Sequence, residues 1–275
     1  MRLATVQMHD GPTVVVDADG DYRRLDFDLD LLSLVRSGID PRDLAVGAAA
    51  AGDLAAPLRP GKIVAIGLNY LDHIRESKLP QPEQPLVFAK FPSSVTGPND
   101  EIVVDAGLTT QVDWEVELGV VVGRRMRNVA VDTALDYVFG YTVGNDVSAR
   151  DVQFSESQWT RGKSFDTFCP IGPVVVTPEE IPDPQALALR TRVNGEVMQD
   201  SSTAEMLFGV AELLAFCSRN FTLEPGDLLL TSTPWGCGYF MNPPRALEIG
   251  DVVECEIERI GMLRDTVASA RFGGP

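Results

Sequence analysis

The sequence predicts a mainly β fold with a few helices, an α+β class, on three observations. Many short apolar runs are punctuated by Gly, Pro, Asn and Asp, the texture of short strands joined by turns. Asn194-Gly195 lies between two alternating segments, a strong two-residue hairpin signal. Helix start and stop signals bound only a few stretches. With 275 residues and 44% hydrophobic side chains, the chain is long and apolar enough to bury a real core. A change of texture divides it into a small N-terminal module, residues 1–57, and a larger domain, residues 58–275.

The module opens with strands expected over Leu3–Gln7 and Thr13–Val16, separated by the turn residues His9-Asp10-Gly11-Pro12. Asp19-Gly20 marks a further turn. A helix is expected over Asp30-Leu31-Leu32-Ser33-Leu34-Val35, stopping at Gly38. Asp40 is placed to cap a second helix with Pro41 at its first position, where the missing N–H costs nothing. Leu54 to Gly61 reads as a connector. Beyond it, strands are expected at Ile63–Ile66, Leu86–Ala89, Glu101–Val104, Trp114–Val122, Val138–Val143, Val174–Thr177, Leu187–Val193, Leu228–Thr231 and Val252–Ile257. One long helix is expected from Ser202, with Glu205 three residues on as a capping box, to Arg219.

Charge narrows the partners. Forty acidic against 23 basic side chains give a formal charge of −17, a field that repels phosphate backbones and anionic lipid surfaces. Neither nucleic acid nor membrane is therefore an expected partner; a small molecule is. Cys169, Cys217, Cys237 and Cys255 form no C-x-x-C pair and have no neighbouring histidine, which fits a reducing compartment. The N-terminus lacks an apolar signal core, and the Ala-rich run Leu44 to Gly52 is too short to span a bilayer, so a cytoplasmic location is the expectation.

Glu115 and Glu117 lie two apart in an otherwise apolar strand, so both carboxylates point to one face. They form either a solvated face or a cation site. The strand-like run from Val138 delivers a third acid, Asp146, at its end. Three carboxylates without a thiolate or imidazole suit a hard divalent ion, Mg²⁺ or Mn²⁺ before Zn²⁺. On a helix, His73 and Glu76 would be i and i+3, an orienting pair or an ordinary surface contact. Arg150 and Lys163 are surface cations unless they lie near Asp146, where they would suit a carboxylate and a developing oxyanion.

The order of motifs resembles the fumarylacetoacetate hydrolase family. It runs Gly67-x-Asn69-Tyr70-x-x-His73-x-x-Glu76, Glu115-x-Glu117-Leu118-Gly119, Asp146-x-x-Ala149-Arg150-Asp151-x-Gln153, Lys163-Ser164-Phe165-Asp166 and Thr231-Ser232-Thr233-Pro234-x-Gly236-x-Gly238. The resemblance implies a rolled-sheet or pseudo-barrel catalytic domain, usually a homodimer, behind a small N-terminal module. It implies Mg²⁺ or Mn²⁺ on Glu115, Glu117 and Asp146, chelating a 2-oxo acid. Arg150, Gln153, Lys163 and Thr233 would line the site, and His73 with Glu76 would be an acid–base dyad on a segment that orders over substrate.

Where many relatives carry Pro-Lys-Gly-Val-Gly or Pro-Pro-Gly-Val-Gly, this chain has Pro234-Trp235-Gly236-Cys237-Gly238, then Tyr239-Phe240-Met241. Trp235 either packs on the core or walls an apolar pocket; the second reading makes the group beyond the oxo-acid head apolar or aromatic. The expected activity is metal-dependent hydrolysis of a C–C bond in a 2,4-dioxo acid such as an acylpyruvate. His73, oriented by Glu76, would activate water, and Lys163 would stabilise the oxyanion. The alternatives are an oxaloacetate-type decarboxylase or a 2-hydroxydienoate isomerase or hydratase on the same scaffold, and, more remotely, a non-catalytic metal- or ligand-binding protein.

Overall fold

The apolar runs pair into two main sheets and a short ribbon. The computed structural model describes residues 1–9 and 11–270; Asp10 of the first expected turn and residues 271–275 of the larger segment lie outside them. The long sheet has 12 strands. Its path runs Val46–Ala49, Asp21–Leu25, Gly11–Ala18, Arg2–Met8, Cys169–Val176, Val138–Asn145, Val116–Val122, Leu228–Leu230, Ile63–Gly67 and Leu86–Lys90, with Asp53–Ala55 and Val95–Thr96 paired beside it. The path stays open at both ends rather than closing into a barrel. Strands of the first 57 residues therefore continue the sheet that carries the rest of the chain. A second sheet orders Glu196–Ser202, Ala188–Val193, Val252–Ile257, Gly261–Ser269 and Glu101–Val104.

Side-chain alternation decides how these layers pack. Val116, Leu118, Val120 and Val122 join a core shared with Leu189, Val193, Val253 and Ile257 of the second sheet. Val121 points the other way, into a core with Leu3, Val175, Leu31, Leu34 and Val35. The last three come from the helix Leu31–Ser37, whose Asp30 cap accepts from Ser33 N and whose stop, Gly38, has φ 71°, as the sequence leads one to expect.

The hairpin forms as expected: Asn194 and Gly195, at φ 54° and 81°, supply the two left-handed positions of the turn between Ala188–Val193 and Glu196–Ser202. Two helix expectations are corrected. Strand pairing continues to Ala188↔Ser202, so Ser202 caps only the 3-10 turn Thr203–Glu205. The helix itself is Val210–Asn220, where Glu212 accepts from the N–H of Gly209 at 2.8 Å. Asp40 does cap Pro41, but over a single 3-10 turn, Pro41–Asp43, because the chain then feeds the strand Val46–Ala49. The strands Asp21–Leu25, Val46–Ala49 and Asp53–Ala55 went unforeseen because they carry little apolar alternation; pairing with a neighbour makes them strands.

Asp265, on Gly261–Ser269, is 2% exposed, and one of its oxygens has no hydrogen-bond partner among the described residues. Burial and the nearby Asp100 carboxylate push its carboxyl well above the usual range. A raised folded-state value means that folding is favoured while the group is protonated, and that stability falls as pH climbs above the unfolded carboxylate range. Asp265→Asn should therefore melt higher than wild type at pH 8, by roughly 2–4 °C per kcal/mol recovered in a chain of this size. The gain should shrink towards pH 5. A variant that melts lower at both pH values would show that the carboxylate is the stabilising form.

Candidate active site

Register brings the acids together. Val116–Val122 runs antiparallel to Val138–Asn145, with Val116 opposite Asn145 and Glu117 opposite Gly144, so the start of one strand meets the end of the other. Asp146 N then donates to Glu115 O at 2.9 Å, and Glu115 N donates to the Asn145 side chain at 3.0 Å. Leu228–Leu230 and Ile63–Gly67 run parallel to each other and end at the same edge, delivering Ser232 and Thr233 from one and the helix Leu71–Ser77 from the other.

Glu115, Glu117 and Asp146 are buried, with one oxygen from each lying within 4.8 Å of the others. Two lysines sit among them. Lys163 Nζ lies 2.6 Å from both Glu115 Oε2 and Asp146 Oδ2, and Lys90 Nζ lies 2.6 Å from Asp146 Oδ1. Arg150 places Nε 2.8 Å from Asp113 Oδ2 and Nη2 2.6 Å from Glu115 Oε1, while Nη1 donates to Gln153 Oε1 at 3.0 Å. Four carboxylates thus face three cations. Burial alone would raise the Glu115 carboxyl, but Lys163 and Arg150 outweigh it and hold it low. Glu117 goes the other way: burial, then the charges of Asp146 and Glu115, push it well above the ordinary range.

Glu117 also carries the test of whether a metal fits. Its Oε2 accepts from Ser232 N at 2.8 Å, but its buried Oε1 has no hydrogen-bond partner among the described residues. An orphaned carboxylate oxygen beside two other acids is what a hard divalent cation would satisfy, and an all-oxygen donor set suits Mg²⁺ or Mn²⁺. The residues fit the ion that the sequence led us to expect.

His73 is buried, and its Nδ1 lies 3.0 Å from Glu76 Oε2 on the helix Leu71–Ser77. Asp72 pins that helix, accepting from Ser201 Oγ at 2.5 Å and Trp235 N at 3.3 Å, while Glu76 Oε1 accepts from Gly236 N at 2.9 Å. Gly236, at φ 95°, allows this close approach; a Cβ there would lie 2.1 Å from the Met198 carbonyl oxygen. Phe240 stands edge-on to the imidazole at 5.3 Å.

His73, Glu115, Arg150, Gln153, Lys163, Thr233 and Phe240 line one small cavity of about 30 Å³. Thr233 accepts from Gln199 Nε2 at 2.8 Å. Trp235 is not brought to this cavity. It is 45% exposed, donates its ring N–H to Asp200 O, and lines an outer cleft with Glu76 and Gly236. Tyr239 likewise faces a separate hollow beside Arg150. Sequence reasoning missed Lys90 and Asp113. Asp113 had a visible signal, since Asp113, Glu115 and Glu117 alternate in one apolar run. Lys90 had only an unusual place, closing the run Leu86-Val87-Phe88-Ala89.

The family model described as fumarylacetoacetate (FAA) hydrolase C-terminal matches residues 62–268. The chain belongs to the fumarylacetoacetate hydrolase family. Among curated relatives, a mitochondrial oxaloacetate tautomerase of Bos taurus is 48% identical over 216 residues, 78% of this chain and 68% of that protein. A mitochondrial oxaloacetate tautomerase of Xenopus laevis is 44% identical over 238 residues, 86% and 74% of the two chains. A solved fumarylacetoacetate hydrolase from Exiguobacterium antarcticum superposes with a TM-score of 0.89 at 38% identity, covering 98% of this chain and 100% of that one. A 5-carboxymethyl-2-hydroxymuconate delta-isomerase from Mycobacterium smegmatis gives 0.83 at 35% identity, with coverage of 98% and 100%. Among the described residues no helix is long and apolar enough to cross a membrane.

Proposed function

We propose that the protein interconverts the keto and enol forms of a short 2-oxo acid, oxaloacetate foremost. This lies nearer the alternatives on the scaffold, an oxaloacetate-type decarboxylase or a 2-hydroxydienoate isomerase, than the acylpyruvate hydrolase first expected. The observation that carries it is one small cavity lined by both His73 and Glu115, with Glu76 behind the imidazole and Glu117 and Asp146 beside the Glu115 carboxylate. Enolisation needs only a base for C3 and a positive partner for the 2-oxo oxygen. Hydrolysis needs, in addition, an attacking water and space for an acyl group. The expectation of an apolar distal group rested on Trp235, Tyr239 and Phe240, and of these only Phe240 lines the cavity. The names of the Bos taurus and Xenopus laevis relatives favour the same substrate.

Arg150, held rigid by Asp113 and Glu115, is placed to receive a substrate carboxylate, with Gln153 and Thr233 beside it. Bound at Glu115, Glu117 and Asp146, Mg²⁺ or Mn²⁺ would polarise the 2-oxo oxygen and stabilise enolate charge. His73 uses the ring nitrogen not engaged by Glu76 to take a proton from C3, and Glu76 stabilises the imidazolium that forms. Lys163 supports negative charge on the oxygen. The imidazolium then returns its proton to C3, or releases it to solvent as the oxygen takes one and the enol leaves, so no net proton is consumed. The homodimer belongs to the same reading, and light scattering checks it.

The test follows the ultraviolet absorbance of enol-oxaloacetate with and without Mg²⁺, and measures pyruvate and CO₂ in the same samples. Acetylpyruvate and a 2-hydroxydienedioate run in parallel. Metal-dependent decay of the enol with little pyruvate formed is expected. Cleavage of acetylpyruvate, with enol decay no faster than in buffer, would sink the reading and restore the hydrolase.

A further inference from the structure

A second cluster of groups able to ligate a metal is formed by the dyad together with Cys237. One ligand atom each from His73, Glu76 and Cys237 falls within 4.8 Å of the others, a nitrogen, an oxygen and a sulfur contributed by two distant segments. Only the acidic trio matches it among the described residues, and the two sets differ in kind. The trio is all oxygen. Here the donors are of the type that selects zinc over magnesium.

Cys237 is free to serve. Its sulfur is fully buried, and its polar neighbours are distant, with Gln199 Nε2 and Pro234 O both at 3.9 Å. Burial first, and then the Asp113, Glu115 and Glu76 carboxylates against Arg150, push its thiol well above the usual range, so the group is a protonated thiol until a metal displaces that proton. The other three cysteines lie buried outside this cluster. Of the three donors, Glu76 borders solvent: with Gly236 it lines an outer cleft of about 910 Å³.

The geometry points to a regulatory site for a thiophilic divalent cation, Zn²⁺ or Cd²⁺, formed by His73, Glu76 and Cys237. The incoming ion displaces the thiol proton to solvent and takes a lone pair of His73, so the base of the dyad is withdrawn while the acidic trio keeps its own ion. The protein is then switched off by zinc in the presence of magnesium. Its consequence for turnover rests on the proposed function; the binding does not.

The experiment uses the full chain at saturating Mg²⁺, titrated with Cd²⁺ and Zn²⁺. Cadmium–thiolate ligation adds an ultraviolet charge-transfer band that oxygen ligation lacks. One equivalent should saturate the band and release about one proton per chain, as thiolate ligation requires. Cys237→Val should lose the band, keep basal enol turnover, and resist zinc by at least about 100-fold, since losing even a supporting partner costs 10–100-fold in affinity. Cys237→Ser serves the same purpose should the valine variant misfold. A band that persists in both variants, or zinc inhibition relieved by excess Mg²⁺ or unchanged without Cys237, overturns the site. Absence of enol turnover with an intact cadmium band would instead count against the proposed reaction alone.

Discussion

His73→Ala is expected to slow enol–keto interconversion by roughly two to four orders of magnitude, the range for losing a general base, while Mg²⁺ binding stays as in wild type. The imidazole touches Glu76 and Phe240, and neither belongs to the acidic trio. Its removal therefore takes away the proton carrier and leaves all three carboxylates in place. Single-turnover decay of the enol and calorimetric titration of Mg²⁺ check the two halves separately. A variant that loses Mg²⁺ affinity together with turnover would make His73 a ligand of the primary ion and refute the division of labour.

Glu117→Gln should abolish most of the Mg²⁺ affinity and yet leave the metal-free protein at least as stable. Among the described residues Glu117 makes no ion pair, and its carboxyl is pushed upward by burial, Asp146 and Glu115, so a neutral amide removes that cost in the absence of an ion. Asp146→Asn should behave differently. Lys90 and Lys163 both pair with Asp146 in the interior, and stranding a buried charge costs about 3–5 kcal/mol. Melting with and without Mg²⁺ separates the cases, because saturation at 100 times Kd adds about 2.7 kcal/mol to a protein that binds. A Mg²⁺-dependent rise in Tm that survives Glu117→Gln would remove the ion from this site.

Local pattern was enough for most of the longer strands of the larger segment, though not for Gly261–Ser269, and for reasons of geometry. Alternation across a pleated strand sorts Val116 and Leu118 from Glu115 and Glu117 before any partner is known, and Asn194-Gly195 meets the backbone demand of its turn alone. The helix expected at Ser202 failed because its capping signal competed with a ladder that only the hairpin partner reveals. Spacing singled out the trio's members: Glu117 lies in the strand Val116–Val122 with Glu115 one residue before it, and Asp146 directly follows Val138–Asn145.

By itself, then, the sequence determined a β-rich chain of this family with three acids, a His–Glu pair and several cations in order. What only the tertiary structure decided is which of them meet. It paired Lys90 with Asp146 across 56 positions, tied Arg150 to Asp113 across 37, set Cys237 against His73, and left Trp235 in an outer cleft. Such contacts depend on strand register and on the ends of separate strands converging at one sheet edge. A side chain's own neighbours in sequence carry no record of that.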